Sequence, residues 1–416
     1  MRPRAAVLIT GSELLRGGRR DANGPFLAEE LTGLGLEPAR ITLVGDEPDE
    51  LEAALREGLA ADLLVVSGGL GPTHDDRTVE LLARAAGLSL SVDPELEQEI
   101  EGVSRRIAER LGRPYAEFED GVRKQATLPE GGRVIGIAGT APGLVVEAGK
   151  AVAIVLPGPP SELQRLWRAA LDDEAVQRVL AQAKVPEHRV LRTYGVSESA
   201  VARALAEAGG EPEGVQATIC AHDGEIWVDL FGDGEELAGT MRQALGSAVF
   251  AEDASPVEEL VLEAAREEGL SLAAAESCTG GLVAARLTSI PGASGVFRGG
   301  VVAYDNEVKR AQLGVPEETL AEHGAVSAET AAAMAAGARD SLGVDVAVSV
   351  TGVAGPNGGT LEKPVGLVYL HASAPGAELG RELRLSGDRD AIRRRAAAAA
   401  LHLVRELLAR SRHTSA

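Results

Sequence analysis

From Ala5 to Gly71 short apolar runs alternate with amphipathic stretches. AAVLIT, ARITLV and LLVVSG read as strands, and Asn23 to Leu34 and Asp49 to Leu59 repeat their apolar positions at helical spacing. Alternation of this kind predicts a parallel sheet covered by helices. The third strand runs into a Gly-rich loop, GGLGPTHDD, and then the helix TVELLARAAG. That order places the loop at the carboxyl edge of the sheet, where such folds bind ligands. A long helix is predicted from Pro94 to Leu111. Strand character returns in GLVVEAG and AVAIVLPGPP, and Ser161 to Leu171 closes the unit as a helix announced by the turn PGPPSE.

A proline and a shift in composition at Lys184 to Glu187 mark a linker. Beyond it, HRVLRTYGV reads as a strand, SESAVARALAEAGG as a helix, VQATICAHDGEIWVDLFG as a hairpin turning at Asp223-Gly224, and EELAGTMRQALG as a second helix. AEDASP, residues 251 to 256, is a second linker, and from Pro256 a new α/β pattern begins. The predicted strands there are LAAAES, GGVVAY, VAVSVTG, GLVYLHAS and an edge strand RELRLS. Helices are predicted in VEELVLEAAREEG, through RLTSI, as two short segments, from Ala328 to Leu342, and from Asp390 to Ala409. The tail SRHTSA reads as frayed. The expected fold class is α/β, with two three-layer α/β/α domains (1–172 and 256–412) joined by a small α+β module (186–251).

A chain of 416 residues is too long for one core. With 45% apolar and 25% charged residues it has an ordinary globular balance. The net charge of −22 repels phosphodiester backbones and anionic membrane surfaces, which makes nucleic acid and membrane poor partners. Small anionic substrates stay open, because backbone N–H groups bind phosphate inside an acidic protein. The two cysteines, Cys220 and Cys278, lack CxxC or Cys/His spacing, so neither a disulfide scaffold nor a zinc site is expected, and Cys220 reads as a small buried side chain. No stretch approaches the roughly 20 apolar residues of a membrane span. The N-terminal apolar run is too brief for a signal peptide, and a cytoplasmic location is expected.

Candidate chemistry gathers at strand ends. In GGLGPTHDD, Gly68, Gly69 and Gly71 with Thr73 can cradle phosphate while Asp75 and Asp76 hold a divalent metal; the same residues also suit a turn whose aspartates cap the next helix. Glu13 and Asn23 fall near the same edge. In the last third, AAAESCTGGLVAARL places Ser277, Cys278 and Thr279 at a strand end with Gly280 and Gly281 opening a helix, whose free N–H groups could receive an oxyanion or phosphate. Ser277 suits a nucleophile or a helix cap, and Cys278 a core thiol or a rival nucleophile; strand alternation assigns the thiol to the core. Tyr304, Asn306 and Lys309 occupy a second strand end, where a desolvated lysine can act as base. A third Gly-rich strand end, TGVAGPNGG, carries Thr351, Gly352 and Gly355. Arg389 and Arg393 stand one turn apart at a helix start, suited to phosphate or carboxylate, while Arg394 and Arg395 suit a solvated face.

GSELLRG, DAN, GGLGPTHDD, GTAPG and LPGPPSE, in that order over residues 7–163, resemble the molybdopterin-binding-like domain of the competence/damage-inducible protein CinA family. ESCTGG, VFRGGVVAYDNEVK, HGAVS, TGVAGPNGGT, KPVG and GDRDAIR, over residues 272–393, resemble that family's nicotinamide mononucleotide deamidase domain. The middle module resembles the family's KH-type linker, but its helix start, GVSESAVARAL, has Ser197, Glu198 and Ser199 where a GXXG loop would stand; a spacer or dimer contact is expected of it rather than RNA binding. The resemblance implies metal-dependent ADP-ribose pyrophosphatase activity, with phosphate on Gly68, Gly69, Gly71 and Thr73 and the metal on Asp75, Asp76 and Glu13. For the deamidase it implies no cofactor, catalysis by Ser277 and Lys309 with Tyr304 and Thr351 in support, and substrate contacts from Thr279, Gly280, Gly281, Asn306, Gly352, Gly355, Arg389 and Arg393. Asp305 departs from the serine expected between Tyr304 and Asn306. Nicotinamide mononucleotide and ADP-ribose are the implied ligands, and a homodimer the implied assembly. The competing class is a non-catalytic, nucleotide-sensing protein of competence or DNA-damage response, which ammonia release from nicotinamide mononucleotide would exclude.

Overall fold

The computed structural model describes residues 2–414, the side chains of 411–414 excepted. The chain divides into two compact units, Met1–Pro186 and Glu187–Ala416.

The first unit contains strands β1 (Arg4–Thr10), β2 (Glu37–Val44), β3 (Leu63–Ser67), β4 (Leu90–Val92), β5 (Thr127–Pro129), β6 (Arg133–Ala138), β7 (Ala141–Ala148) and β8 (Ala151–Leu156). Its main sheet has the order β2-β1-β3-β8-β7-β6. The first four strands are parallel and β8, β7 and β6 form an antiparallel meander. Every residue of β3 is buried because both faces of the sheet are covered. Leu63 and Val65 pack with Leu27, Leu31, Leu163 and Trp167 of helices Asn23–Gly33 and Pro160–Leu171. Leu64 and Val66 point the other way, onto Leu51, Leu55, Leu81 and Leu82 of helices Pro48–Gly58 and Thr78–Ala86. β6 escaped the sequence pattern: RVIGIA carries an arginine and a glycine, and it forms an edge strand broken by a bulge between Val134 and Gly136.

In the second unit β9 (His188–Tyr194), β10 (Gln216–His222), β11 (Glu225–Phe231) and β12 (Val249–Ala251) form a sheet of order β10-β11-β9-β12. Helices Glu198–Glu207 and Glu235–Leu245 cover one face. The hairpin turns at Asp223 (φ 49°) and Gly224 (φ 97°), the paired positive φ of a type I′ turn. β12 adds a strand to the expected β-α-β-β-α order. Cys220 is exposed on the edge strand β10, not buried as expected, since β10 has a neighbour on one side only.

A five-stranded sheet follows, with β13 (Leu272–Glu276), β14 (Phe297–Val302), β15 (Val346–Gly352), β16 (Leu367–Ala374) and β17 (Ala377–Arg384) in the order β14-β13-β15-β16-β17. The first three are parallel and the last two antiparallel. Leu272, Ala274, Val348 and Val350 face helices Val257–Glu267 and Leu282–Ser289 and the terminal helix Arg389–Thr414. Ala273, Ala275 and Ala347 face Leu313, Met334 and Ala338 of helices Asn306–Leu313 and Ala328–Leu342. In the terminal helix, residues 396–404 are all buried, so it has no solvent face over more than two turns. Residues 411–414 of the tail expected to fray continue this helix, and 415–416 lie outside the described residues.

Candidate active site

The second unit's site begins where β13 ends. Ser277 is still aligned with the sheet, its N–H donating to the Val350 carbonyl at 2.9 Å. Strand alternation then separates the neighbours: Cys278 enters the apolar core, and Ser277 meets the side chain of Lys309. Lys309 is 1% exposed. Its Nζ lies 3.1 Å from Ser277 Oγ, 2.8 Å from the Ala303 carbonyl and 3.5 Å from that of Tyr304. Burial holds the lysine below its ordinary pKa, against smaller opposing effects from Asp305 and Cys278. Arg389 is not among the groups that shift it. Asp305 caps its helix instead of entering the site, its Oδ1 accepting from the Glu307 N–H at 2.8 Å. Burial pushes the Cys278 thiol up to about 12.

Glu276, the acidic end of an otherwise apolar strand, is 1% exposed. Its carboxylate accepts N–H bonds from Gly281 (3.0 Å), Val283 (3.1 Å) and Ala284 (2.9 Å). The helix opening expected to receive an oxyanion or phosphate at Gly281 is therefore filled from within. The Gly280 N–H closes the turn on the Ser277 carbonyl at 3.1 Å. The amides of Cys278 and Thr279 have no acceptor among the described residues, and the Thr279 hydroxyl is buried without a partner among them.

Arg393 is spent on the same turn: Nε donates to the Cys278 carbonyl at 3.2 Å and Nη2 to that of Thr279 at 2.8 Å, so it braces the loop rather than facing a ligand. Arg389 ties two other expected residues together, donating to the Gly355 carbonyl at 2.6 Å and to the Tyr304 hydroxyl at 2.8 Å. Tyr304 is 61% exposed and stands at the rim, as does Asn306, the exposed first residue of its helix. Thr351 is turned away, its buried hydroxyl donating to the Ala325 carbonyl at 2.6 Å. Gly352 belongs to β15, where a Cβ would meet the Leu367 carbonyl at 2.7 Å, so its need for glycine comes from the neighbouring strand. Arg394 and Arg395 are not free: they donate to Asp223 and to the Ser386 carbonyl.

In the first unit the parallel strands β1, β3 and β8 deliver their following loops to one edge. Asn23 joins two of them, its Nδ2 donating to Ser67 Oγ at 3.0 Å and to the Gly158 carbonyl at 2.7 Å. Gly69 has φ +66°, and a Cβ there would lie 2.1 Å from Thr78 Oγ1. At Gly68 it would meet the Thr10 carbonyl, and at Gly71 the Asp76 carboxylate. A cleft of about 400 Å³ is lined by Gly69, Gly71, Asp76, Gln125, Thr140 and Gly158, uniting three of the sequence motifs. Neither aspartate caps the next helix, whose N-cap is Arg77. Both fold back on Thr73, whose hydroxyl oxygen lies 2.5 Å from an oxygen of each carboxylate and donates its single proton to one of them at a time. Lys124 donates to the Thr73 carbonyl, and Gln125 to that of Leu70 at 2.8 Å. Sequence reading gave residues 112–132 no element and missed both; the apolar spacing of Val122 and Ala126 beside them is the available signal. Glu13 lies on the short helix Ser12–Leu15 and does not join the aspartates: no group of three acidic, His or Cys side chains suited to a metal occurs among the described residues. Asp75 and Asp76 alone fit an ion shared with a substrate's phosphates rather than a resident metal centre.

These features define a mixed α/β protein with a glycine-lined cleft in one unit and a buried serine–lysine pair in the other. Residues 254–408 match the family model described as CinA C-terminal domain, and residues 6–176 that described as probable molybdopterin binding domain. A CinA-like protein of Mycolicibacterium paratuberculosis is 43% identical over 97% of this chain and 98% of its own length, and one of Mycobacterium avium is 44% identical over the same shares. The chain belongs to the CinA family. A solved competence/damage inducible protein from Agrobacterium tumefaciens is 43% identical over 38% of this chain and 99% of its own, with a TM-score of 0.36.

Proposed function

We propose that the C-terminal part of the chain hydrolyses the carboxamide of nicotinamide mononucleotide to nicotinic acid mononucleotide and ammonia. The observation that carries this reading is the Lys309 Nζ to Ser277 Oγ contact of 3.1 Å inside a buried site. A neutral lysine directs its two hydrogens to the Ala303 and Tyr304 carbonyls and its lone pair to the serine hydroxyl. The serine proton passes to Nζ as Oγ attacks the carboxamide carbon. The oxyanion is received by the unpaired amides of Cys278 and Thr279. Lys309 returns the proton to the leaving nitrogen and ammonia departs. Water, deprotonated by the same amine, then releases the acid and restores the serine. Arg389 and Tyr304 at the rim bind the nucleotide's phosphate and ribose side. The test is ammonia release by the purified chain. Wild-type activity and a Ser277→Ala variant slowed at least about 10³-fold are expected; wild-type inactivity, or an active Ser277→Ala beside a dead Cys278→Ala, overturns the reading.

For the first unit we propose hydrolysis of the ADP-ribose pyrophosphate in the glycine-lined cleft. The amides of Gly69 and Gly71, with Lys124, would face the phosphates, the Gly68 N–H being taken by the Leu156 carbonyl at 2.9 Å; Asp75 and Asp76 would hold a divalent ion, which would supply positive charge beside the pyrophosphate. Asp76→Ala is expected to abolish cation-dependent hydrolysis of ADP-ribose. Unchanged activity in that variant, or turnover without divalent cations, overturns the assignment.

A further inference from the structure

The terminal helix meets the catalytic turn at one end and the middle sheet along its length. Arg393 holds the carbonyls of Cys278 and Thr279. The next residue, Arg394, donates to Asp223 Oδ1 at 2.9 Å, at the tip of the β10–β11 hairpin. Two turns on, buried His402 bonds through Nε2 to Glu225 Oε1 at 2.8 Å, and Glu225 Oε2 accepts from Trp227 Nε1 at 2.9 Å. Tyr194 of β9 stacks on the His402 ring at 3.8 Å between centroids, and Phe250 of β12 meets its edge at 4.7 Å. Three strands of the middle sheet thus each place a side chain on one histidine.

Between these polar contacts the helix presents Ala396, Ala397, Ala398, Ala399 and Ala400, all buried. Ile392, Leu401, Leu403, Val404, Leu407 and Leu408 pack the helix into the apolar core on either side of this alanine stretch. Apolar burial is non-directional and alanine methyls interlock weakly, so over 393–402 the polar contacts add the directional restraint. A peptide group is planar and trans, so a carbonyl held on Arg393 turns the N–H of the following residue the opposite way. The placement of Arg393 therefore aims the Thr279 amide.

We propose that Asp223 and Glu225 are positioning residues for the serine site, acting through Arg394, His402 and the rigid helix that carries Arg393. This deepens the serine reading and rests on it. In the full chain, Glu225→Ala is expected to lower kcat for ammonia release about tenfold with KM within about twofold, since small displacements of reacting groups cost rate before affinity. Glu225→Gln, which keeps a hydrogen bond to His402, should stay near wild type. At the exposed end of the contact, Asp223→Ala should lower kcat by about threefold, and the reversed pair Asp223→Arg with Arg394→Asp should recover most of it. A Glu225→Ala protein that is folded by circular dichroism and has wild-type kcat overturns the proposal. Hydrogen exchange at the amides of residues 278–280 decides without substrate: faster exchange in Glu225→Ala supports the coupling, and unchanged exchange overturns it. Should the wild-type chain release no ammonia, the serine reading fails and exchange still decides the coupling.

Discussion

Lys309 owes its usefulness to the lack of a carboxylate partner at its nitrogen. Its described contacts are two carbonyls and a hydroxyl, so burial is only partly offset, by Asp305 and Cys278, and the pKa falls below that of a free lysine. Because the folded pKa is depressed, turnover should fall as pH drops through it, by about tenfold per unit at the acid end, and level off above it. A pH–kcat/KM profile checks the sign; Lys309→Ala should lower the plateau by about 10² to 10⁴. Between the folded pKa and the ordinary value the unfolded chain binds more protons, so this residue makes the fold more stable as pH rises across that window. Cys278, with its thiol pushed up to about 12, is protonated at neutral pH and buried. A thiol reagent should label exposed Cys220 in the native protein and leave Cys278 untouched.

At the scale of elements, Glu276 couples strand to helix. An acidic side chain at a buried strand end demands partners, and the N-cap Gly281 and two amides of helix Leu282–Ser289 supply them. Glu276→Gln keeps one acceptor oxygen but sets an NH₂ against a backbone N–H. It should cost about 1 to 3 kcal/mol in urea unfolding and slow the serine chemistry with it. This contact was not legible in the sequence, where ESCTGG shows a strand end and a helix start but not which group fills the helix opening. The strands themselves were legible because burial on two faces writes a continuous apolar run, as in LLVVS, and the hairpin because only a type I′ turn suits Asp-Gly between two alternating runs. Ser277 and Lys309 were legible as residue types at strand ends. Arg393, Thr351 and Glu13 were misread because spacing places a residue near a site without saying which neighbour its side chain meets first.

On the scale of the whole molecule, charge and composition bear on the expectation that the middle module does not bind nucleic acid. Residues 187–251 hold eleven acidic residues against four arginines, and Ser197, where a nucleic-acid loop would stand, caps helix Glu198–Glu207 through the Ala200 N–H at 3.2 Å. Fluorescence anisotropy should detect no submicromolar, salt-dependent binding of single-stranded RNA or DNA by the full chain at physiological salt. We also propose a homodimer, to be read from the molar mass in solution. The terminal helix has a last consequence, one of timing. A growing chain emerges from its N-terminal end. Strands β13 to β17 therefore leave the ribosome before the helix at 389–414 that seals one of their faces. Until that helix arrives, Leu272, Val348, Val350 and Leu370 have only part of their cover, and the turn after Ser277 lacks the arginine that braces it. The enzyme reading therefore carries an order of birth: the serine is made early, and its site becomes competent only when the last helix lies down.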